Sequence, residues 1–136
     1  MDLPLIGLGT YNLLGAACTR VVREALDLGY RHIDTAHVYE NHRAIGKGIK
    51  GFDRSELFLT TKIHLDQVHP KKVSTSVEKA CDRALKELGI EYIDLYLIHW
   101  PDPDKPLVDI LKAMEGLKQL GKVRHIGVCA SWRMRC

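Results

Sequence analysis

Cysteine is scarce in this chain and badly spaced for metal chemistry. There are four in 136 residues, at Cys18, Cys81, Cys129 and Cys136, with no CxxC pair and no Cys/His spacing of a zinc site. Cys18 and Cys81 fall on the apolar faces of predicted helices and read as small buried hydrophobes. That usage fits a reducing, cytoplasmic compartment. Long hydrophobic runs are also missing: the most apolar stretch, Leu95 to Ile98, is far too short to cross a bilayer. The opening Met1-Asp2-Leu3-Pro4 puts an acid where a signal peptide needs a base, so the expectation is a protein without a leader or a membrane anchor. Charge of one sign is not concentrated anywhere. The net charge is +3, and Lys and Arg are spread along the chain without a dense stripe, which argues against a nucleic-acid partner. There is no low-complexity segment and no long linker. With 46% hydrophobic and 27% charged residues, the chain reads as one soluble globular domain.

What is present is an alternation of short apolar runs with helical patterns. Leu5 to Gly9 is a first strand candidate. Cys18 to Leu28 follows as a helix with Cys18, Val22, Ala25 and Leu26 on one face, ended by Gly29. His32 to Asp34 is a second strand, Asn41 to Lys50 a short helix, and Leu57 to Lys62 a third strand. Pro70 suits the first turn of the next helix, which keeps apolar spacing from Val73 to Leu88 and closes at Gly89. Ile93 to His99 is a fourth strand, a near-continuous apolar run of the kind covered on both faces. A helix marked by Leu107, Ile110, Leu111, Met114 and Leu117 stops at Gly121, and Val123 to Val128 is a fifth strand. Strands joined through helices run parallel. A doubly wound sheet or part of a (β/α)8 barrel remains. A dinucleotide-binding sheet wants GxGxxG after its first strand, and Gly7-Leu8-Gly9 lacks the third glycine. The α/β reading therefore moves to a partial barrel of about five parallel strands and four helices.

Barrel enzymes draw their chemistry from the C-terminal ends of several strands. Asp34 ends the second strand, Tyr39 lies in the loop after it, Lys62 ends the third and His99 ends the fourth. Phe58, Thr60 and Lys62 share one face, as do Leu95, Leu97 and His99, so the polar residues cap columns of side chains. Each has a plainer explanation alone: Asp34 as a turn former, Tyr39 as an amphipathic core residue, Lys62 as a solvated lysine, His99 as a satisfied core histidine. Together they fit general-acid chemistry on a carbonyl. A phenol gives up its proton reluctantly, an ammonium beside it makes it a better acid, a carboxylate holds that ammonium, and an imidazole orients the carbonyl oxygen. A metal- or ligand-binding module built on the seven histidines is the competing reading. His37/His42 and His64/His69 are each five apart, off the helical spacing of a ligand pair.

Several separated segments resemble the aldo-keto reductases. Gly29-Tyr30-Arg31-His32-Ile33-Asp34-Thr35-Ala36-His37-Val38-Tyr39 is similar to that family's first signature. Thr60-Thr61-Lys62 resembles the segment of its lysine, and Asp94-Leu95-Tyr96-Leu97-Ile98-His99-Trp100-Pro101 that of its histidine. Gly121 to Val128 resembles its fifth strand, and Leu8-Gly9-Thr10-Tyr11 its first loop. The resemblance implies a cytoplasmic, NADPH-dependent reductase of small aldehydes and ketones. Its catalytic residues would be Asp34, Tyr39, Lys62 and His99, with Tyr39 as proton donor. Tyr11, His99 and Trp100 would border the substrate, Thr10 and Asp34 would lie by the nicotinamide half of the cofactor, and no metal is implied.

The resemblance covers residues 1–128, and 129–136 reads as a divergent tail. After Gly127-Val128 the family continues with Ser-Asn, whereas this chain has Cys129-Ala130. The expectation is a truncated barrel without its main phosphate-binding segment, with open strand edges that favour self-association, and either active on assembly or a catalytically inactive fragment. The substrate and the choice between NADPH and NADH stay open.

Overall fold

A computed structural model describes residues 2–129; the tail expected at 129–136 lies outside them except for Cys129. The described residues form one five-stranded sheet in the order β1-β2-β3-β4-β5, every neighbouring pair parallel. The strands are β1 (Gly7–Gly9), β2 (His32–Asp34), β3 (Phe58–Ile63), β4 (Ile93–Ile98) and β5 (Val123–Val128), alternating with α1 (Gly15–Asp27), α2 (His42–Ile49), α3 (Val73–Leu88) and α4 (Leu107–Gln119). No helix among them is long and apolar enough to cross a membrane.

All four helices cover one face of the sheet. Two apolar clusters fill that interface. One joins Ile33, Leu57 and Leu59 to Cys18, Val22 and Leu26 of α1 and to Ile45 and Ile49 of α2. The other joins Ile63, Tyr96 and Ile98 to Val77 and Cys81 of α3 and to Ile110 and Met114 of α4. Both cysteines are fully buried there, and burial pushes the Cys81 thiol up to about 12. The strand alternation is the cause: Ile33 of β2, Leu59 and Ile63 of β3, and Tyr96 and Ile98 of β4 turn to the helices, and their neighbours turn to the other face. That other face carries Phe58, Thr60, Lys62, Leu95 and Leu97, the last two only half-buried.

Several boundaries differ from the sequence expectation. β1 starts at Gly7, because it pairs with β2 over three residues only, Gly7 with His32 through Gly9 with Asp34. α1 starts at Gly15, a turn ahead of its first buried residue, Cys18. Pro70 is not in the first turn of α3. It sits in a separate turn closed by the Lys72 N–H on the His69 carbonyl at 2.9 Å, where its fixed φ suits the second position. Two polar features also position strand starts. The buried Asp94 carboxylate accepts from Arg54 Nη2 at 2.5 Å and from the Leu59 N–H at 2.8 Å, tying β4 to β3. Tyr92 lies between the guanidinium groups of Arg54 and Arg124, 4.0 and 4.1 Å from its ring centroid.

Candidate active site

The ladder of the sheet runs one residue past several strands and builds a backbone rim at their C-terminal ends. Thr10 N–H donates to the Asp34 carbonyl (3.1 Å), Thr35 N–H to Thr60 (2.8 Å) and His99 N–H to Ile63 (3.0 Å). Asp34 is the last residue of β2, Lys62 the next to last of β3, and His99 the first beyond β4. Tyr39 follows on a single 3-10 turn, His37–Tyr39, which ends where Glu40 takes a left-handed backbone with φ 53°.

The structure brings all four together. Lys62 Nζ donates to Asp34 Oδ1 at 2.6 Å and to the Thr35 carbonyl at 2.9 Å. It also stands 5.2 Å from the centre of the Tyr39 ring. Lys62 is buried, its side chain 6% exposed, so the nearby carboxylate offsets much of the cost of keeping an ammonium out of water. Asp34 is less enclosed, at 32%, and its Oδ2 accepts no hydrogen bond among the described residues. The Tyr39 ring meets His99 edge-on at 5.7 Å and Tyr11 at 5.3 Å. His99 is itself stacked on Trp100, with centroids 3.7 Å apart and planes 11° from parallel.

His99 is buried, and its Nδ1 has no hydrogen-bond partner among the described residues. Burial, with the Lys62 ammonium and His64 adding to it, brings its pKa down to about 4 against a smaller opposing pull from Asp34. The ring is therefore neutral at pH 7. A neutral imidazole carries one N–H, so the ring can offer a single hydrogen-bond donor.

Tyr11 and Trp100 stand out on the rim as exposed aromatics, 70% and 43%. Thr10 is fully buried instead, and its hydroxyl donates to the Asp34 carbonyl at 2.9 Å. Its direct contact is thus with the backbone beneath Asp34. Three participants escaped the sequence reading. The helical spacing makes Asn41 only the first residue of a helix, yet its side chain is buried and turned inward among Thr10, Leu13 and Thr35. Thr35 supplies a carbonyl to Lys62, which no side-chain motif signals. His64, two residues after Lys62, meets the Trp100 ring edge-on at 5.5 Å. Among the described residues no group of three His, Cys, Asp or Glu side chains converges as metal ligands do.

The sequence profile of the Aldo/keto reductase family matches residues 5–134. The 9,11-endoperoxide prostaglandin H2 reductase of Trypanosoma cruzi is 46% identical over 130 residues, 93% of this chain and 44% of that protein. Methylglyoxal reductase DkgA of Yersinia pestis is 39% identical, over 93% of this chain and 45% of its own length. Among solved structures, an aldo/keto reductase from Brucella melitensis superposes with a TM-score of 0.83 at 43% identity, over 93% of this chain and 49% of that one. A Bombyx mori aldo-keto reductase solved in complex with NADP gives 0.80 at 36% identity, over 93% and 46%. The chain spans about half the length of these relatives.

Proposed function

Since the chain belongs to the aldo/keto reductase family, we propose that it carries the proton-donating part of a carbonyl reductase site that works with NADPH. The observation that carries this reading is the buried Lys62 ammonium, held by Asp34 at 2.6 Å and facing the Tyr39 ring at 5.2 Å on the same rim as His99.

In this reading Tyr39 is the acid, and its hydroxyl gives a proton to the carbonyl oxygen as that oxygen gains charge. Lys62 steadies the phenolate left behind, and Asp34 and the Thr35 carbonyl keep the ammonium in place. His99, neutral, donates its one ring N–H to the same carbonyl oxygen and sets its approach. Tyr11 and Trp100 border the substrate, a small aldehyde or ketone. NADPH, when bound, supplies the hydride for the carbonyl carbon. Asp34 fits its nicotinamide end, because the open Oδ2 can accept from an amide or ribose hydroxyl there, and Thr10 holds the strand end beneath it. The two relatives named as reductases of prostaglandin H2 endoperoxide and of methylglyoxal support an oxidoreductase of small molecules.

A second reading has its own observation. Leu95 and Leu97, on the face away from the helices, are only half-covered. An inactive half-barrel that pairs with another copy or with a longer relative fits that. One assay separates the two. NADPH oxidation by the purified chain is followed with methylglyoxal and an aromatic aldehyde, beside Tyr39→Phe. The first reading expects turnover that falls at least about 10²-fold in the variant. No turnover in either, with NADPH binding absent by fluorescence, gives the second.

A further inference from the structure

The Asn41 side chain is 2% exposed at residue level and fully engaged. Its Nδ2 donates to the Thr10 carbonyl at 2.9 Å and to the Leu13 carbonyl at 3.0 Å, and its Oδ1 accepts from the Thr35 hydroxyl at 2.6 Å. Two of these partners belong to the loop after β1 and the third to the segment after β2. The chain closes on itself from there. Thr35 offers its carbonyl to Lys62 Nζ, Lys62 holds Asp34 Oδ1, and Thr10 donates twice to the Asp34 carbonyl, from N at 3.1 Å and Oγ1 at 2.9 Å. The result is a ring of hydrogen bonds, Asn41–Thr35–Lys62–Asp34–Thr10, running beneath Tyr39 and Tyr11. Both tyrosines are held at a fixed spacing, with ring centroids 5.3 Å apart. Tyr11 sits one residue from Thr10, and Tyr39 two residues from Asn41.

We infer that Asn41 is a positioning residue, whose carboxamide locks the loop after β1 to the segment bearing the phenol and so fixes the spacing of Tyr11, Tyr39 and Lys62. Only a carboxamide satisfies this pocket. Two of its partners are carbonyls and need donors, while the third is a hydroxyl that can donate. Aspartate has the same shape but turns an acceptor toward both carbonyls. Leucine takes the side-chain donor away from the Leu13 carbonyl and the acceptor away from the buried Thr35 hydroxyl, and leaves the Thr10 carbonyl with the Leu13 N–H alone. The purpose of the lock rests on the reading of Tyr39 as the acid; the lock itself does not, and its test reads geometry rather than turnover.

The test uses the whole chain labelled with 3-fluorotyrosine. Its five tyrosines, at 11, 30, 39, 92 and 96, give five 19F resonances assigned by single Tyr→Phe variants. The Tyr39 signal is set by the edge-on rings of Tyr11 and His99. Asn41→Asp and Thr35→Val are expected to shift the Tyr11 and Tyr39 resonances and leave Tyr30, Tyr92 and Tyr96 in place. Val77→Ala, in the α3 core, is the comparison: it lowers stability without moving Tyr11 or Tyr39. The inference is overturned if Asn41→Asp lowers the unfolding midpoint while Tyr11 and Tyr39 stay put. It is overturned equally if Asn41→Asp unfolds and a folded Thr35→Val leaves both signals unmoved, or if the unsubstituted chain gives no dispersed spectrum.

Discussion

Lys62 and Asp34 are partners with unequal surroundings, so removing one differs from removing the other. Asp34→Asn leaves the Lys62 ammonium, 6% exposed, without its counter-charge. A loss of about 3 kcal/mol in urea unfolding is expected, the lower end for a broken buried pair because Asp34 itself is a third exposed. Lys62→Met takes the charge away and keeps the volume. It should cost much less stability while abolishing the turnover proposed for Tyr39, a split seen by measuring unfolding and turnover on the same preparation. His42 gives a pH dependence of its own. It is 4% exposed between α2, β3 and α3, with Nε2 on the Thr61 hydroxyl at 2.8 Å and Nδ1 3.4 Å from Glu87. Burial, then the partly opposing Glu87 carboxylate, leaves its pKa at about 4. The unfolded chain takes up this proton near pH 6.5, well before the folded one does. Stability is therefore flat above about pH 7 and falls as pH drops toward 4, by roughly 3 kcal/mol from this residue. Equilibrium unfolding of His42→Gln across that range should show a shallower slope than the parent.

At the level of helices and strands, α2 fits closely between α1 and α3. A Cβ on Gly46 would meet the Leu88 carbonyl oxygen of α3 at 2.7 Å, and one on Gly48 would meet Val22 Cγ1 of α1 at 2.7 Å. Alanine is normally better than glycine inside a helix by about 1 kcal/mol. Gly46→Ala should nevertheless destabilise, by about 1–3 kcal/mol, because backbone cannot yield as a side chain can. Gly116 of α4 has nothing within 4 Å of that point, so Gly116→Ala should stabilise by about 0.5–1 kcal/mol. Thermal melts of the two variants, moving in opposite directions, check both. This contrast also marks what the sequence makes legible. The alternation of apolar runs and helical spacing is a local signal, so all five strands and four helices were readable. Lys62 and His99 were readable for the same reason, since alternation along a strand assigns a face. Asn41, Thr35, Gly46 and Gly48 were not. Thr35 and Asn41 bond each other across six residues, but their other partners lie at positions 62 and 10, and Gly46 and Gly48 are crowded by residues 88 and 22, none of which a local spacing pattern reports. Pro70 misled because a proline before a helix is compatible both with its first turn and with a separate turn ahead of it.

Among the described residues the outer strands of the sheet are β1 and β5, and the face away from the helices is buried at Phe58, Thr60 and Lys62 but only half-covered at Leu95 and Leu97. Leu5, Ile6 and Val128 are exposed at those edges. Exposed strand edges beside apolar surface favour pairing with another chain. Self-association of the 136-residue chain is therefore expected, with a melting temperature that rises with protein concentration. Sedimentation velocity over a hundredfold concentration range tests it; a sharp, concentration-independent transition of a monomer refutes it.

The strand order has a consequence in time. Each strand lies beside the one made just before it, so none waits for a later segment to find its neighbour. Chains are synthesised at about 5–20 residues per second. The Asp34–Lys62 pair spans 28 residues, so both partners exist within a few seconds of each other, before any of β4 has been made. The charged half of the rim is thus available ahead of His99, which arrives onto an edge already in place.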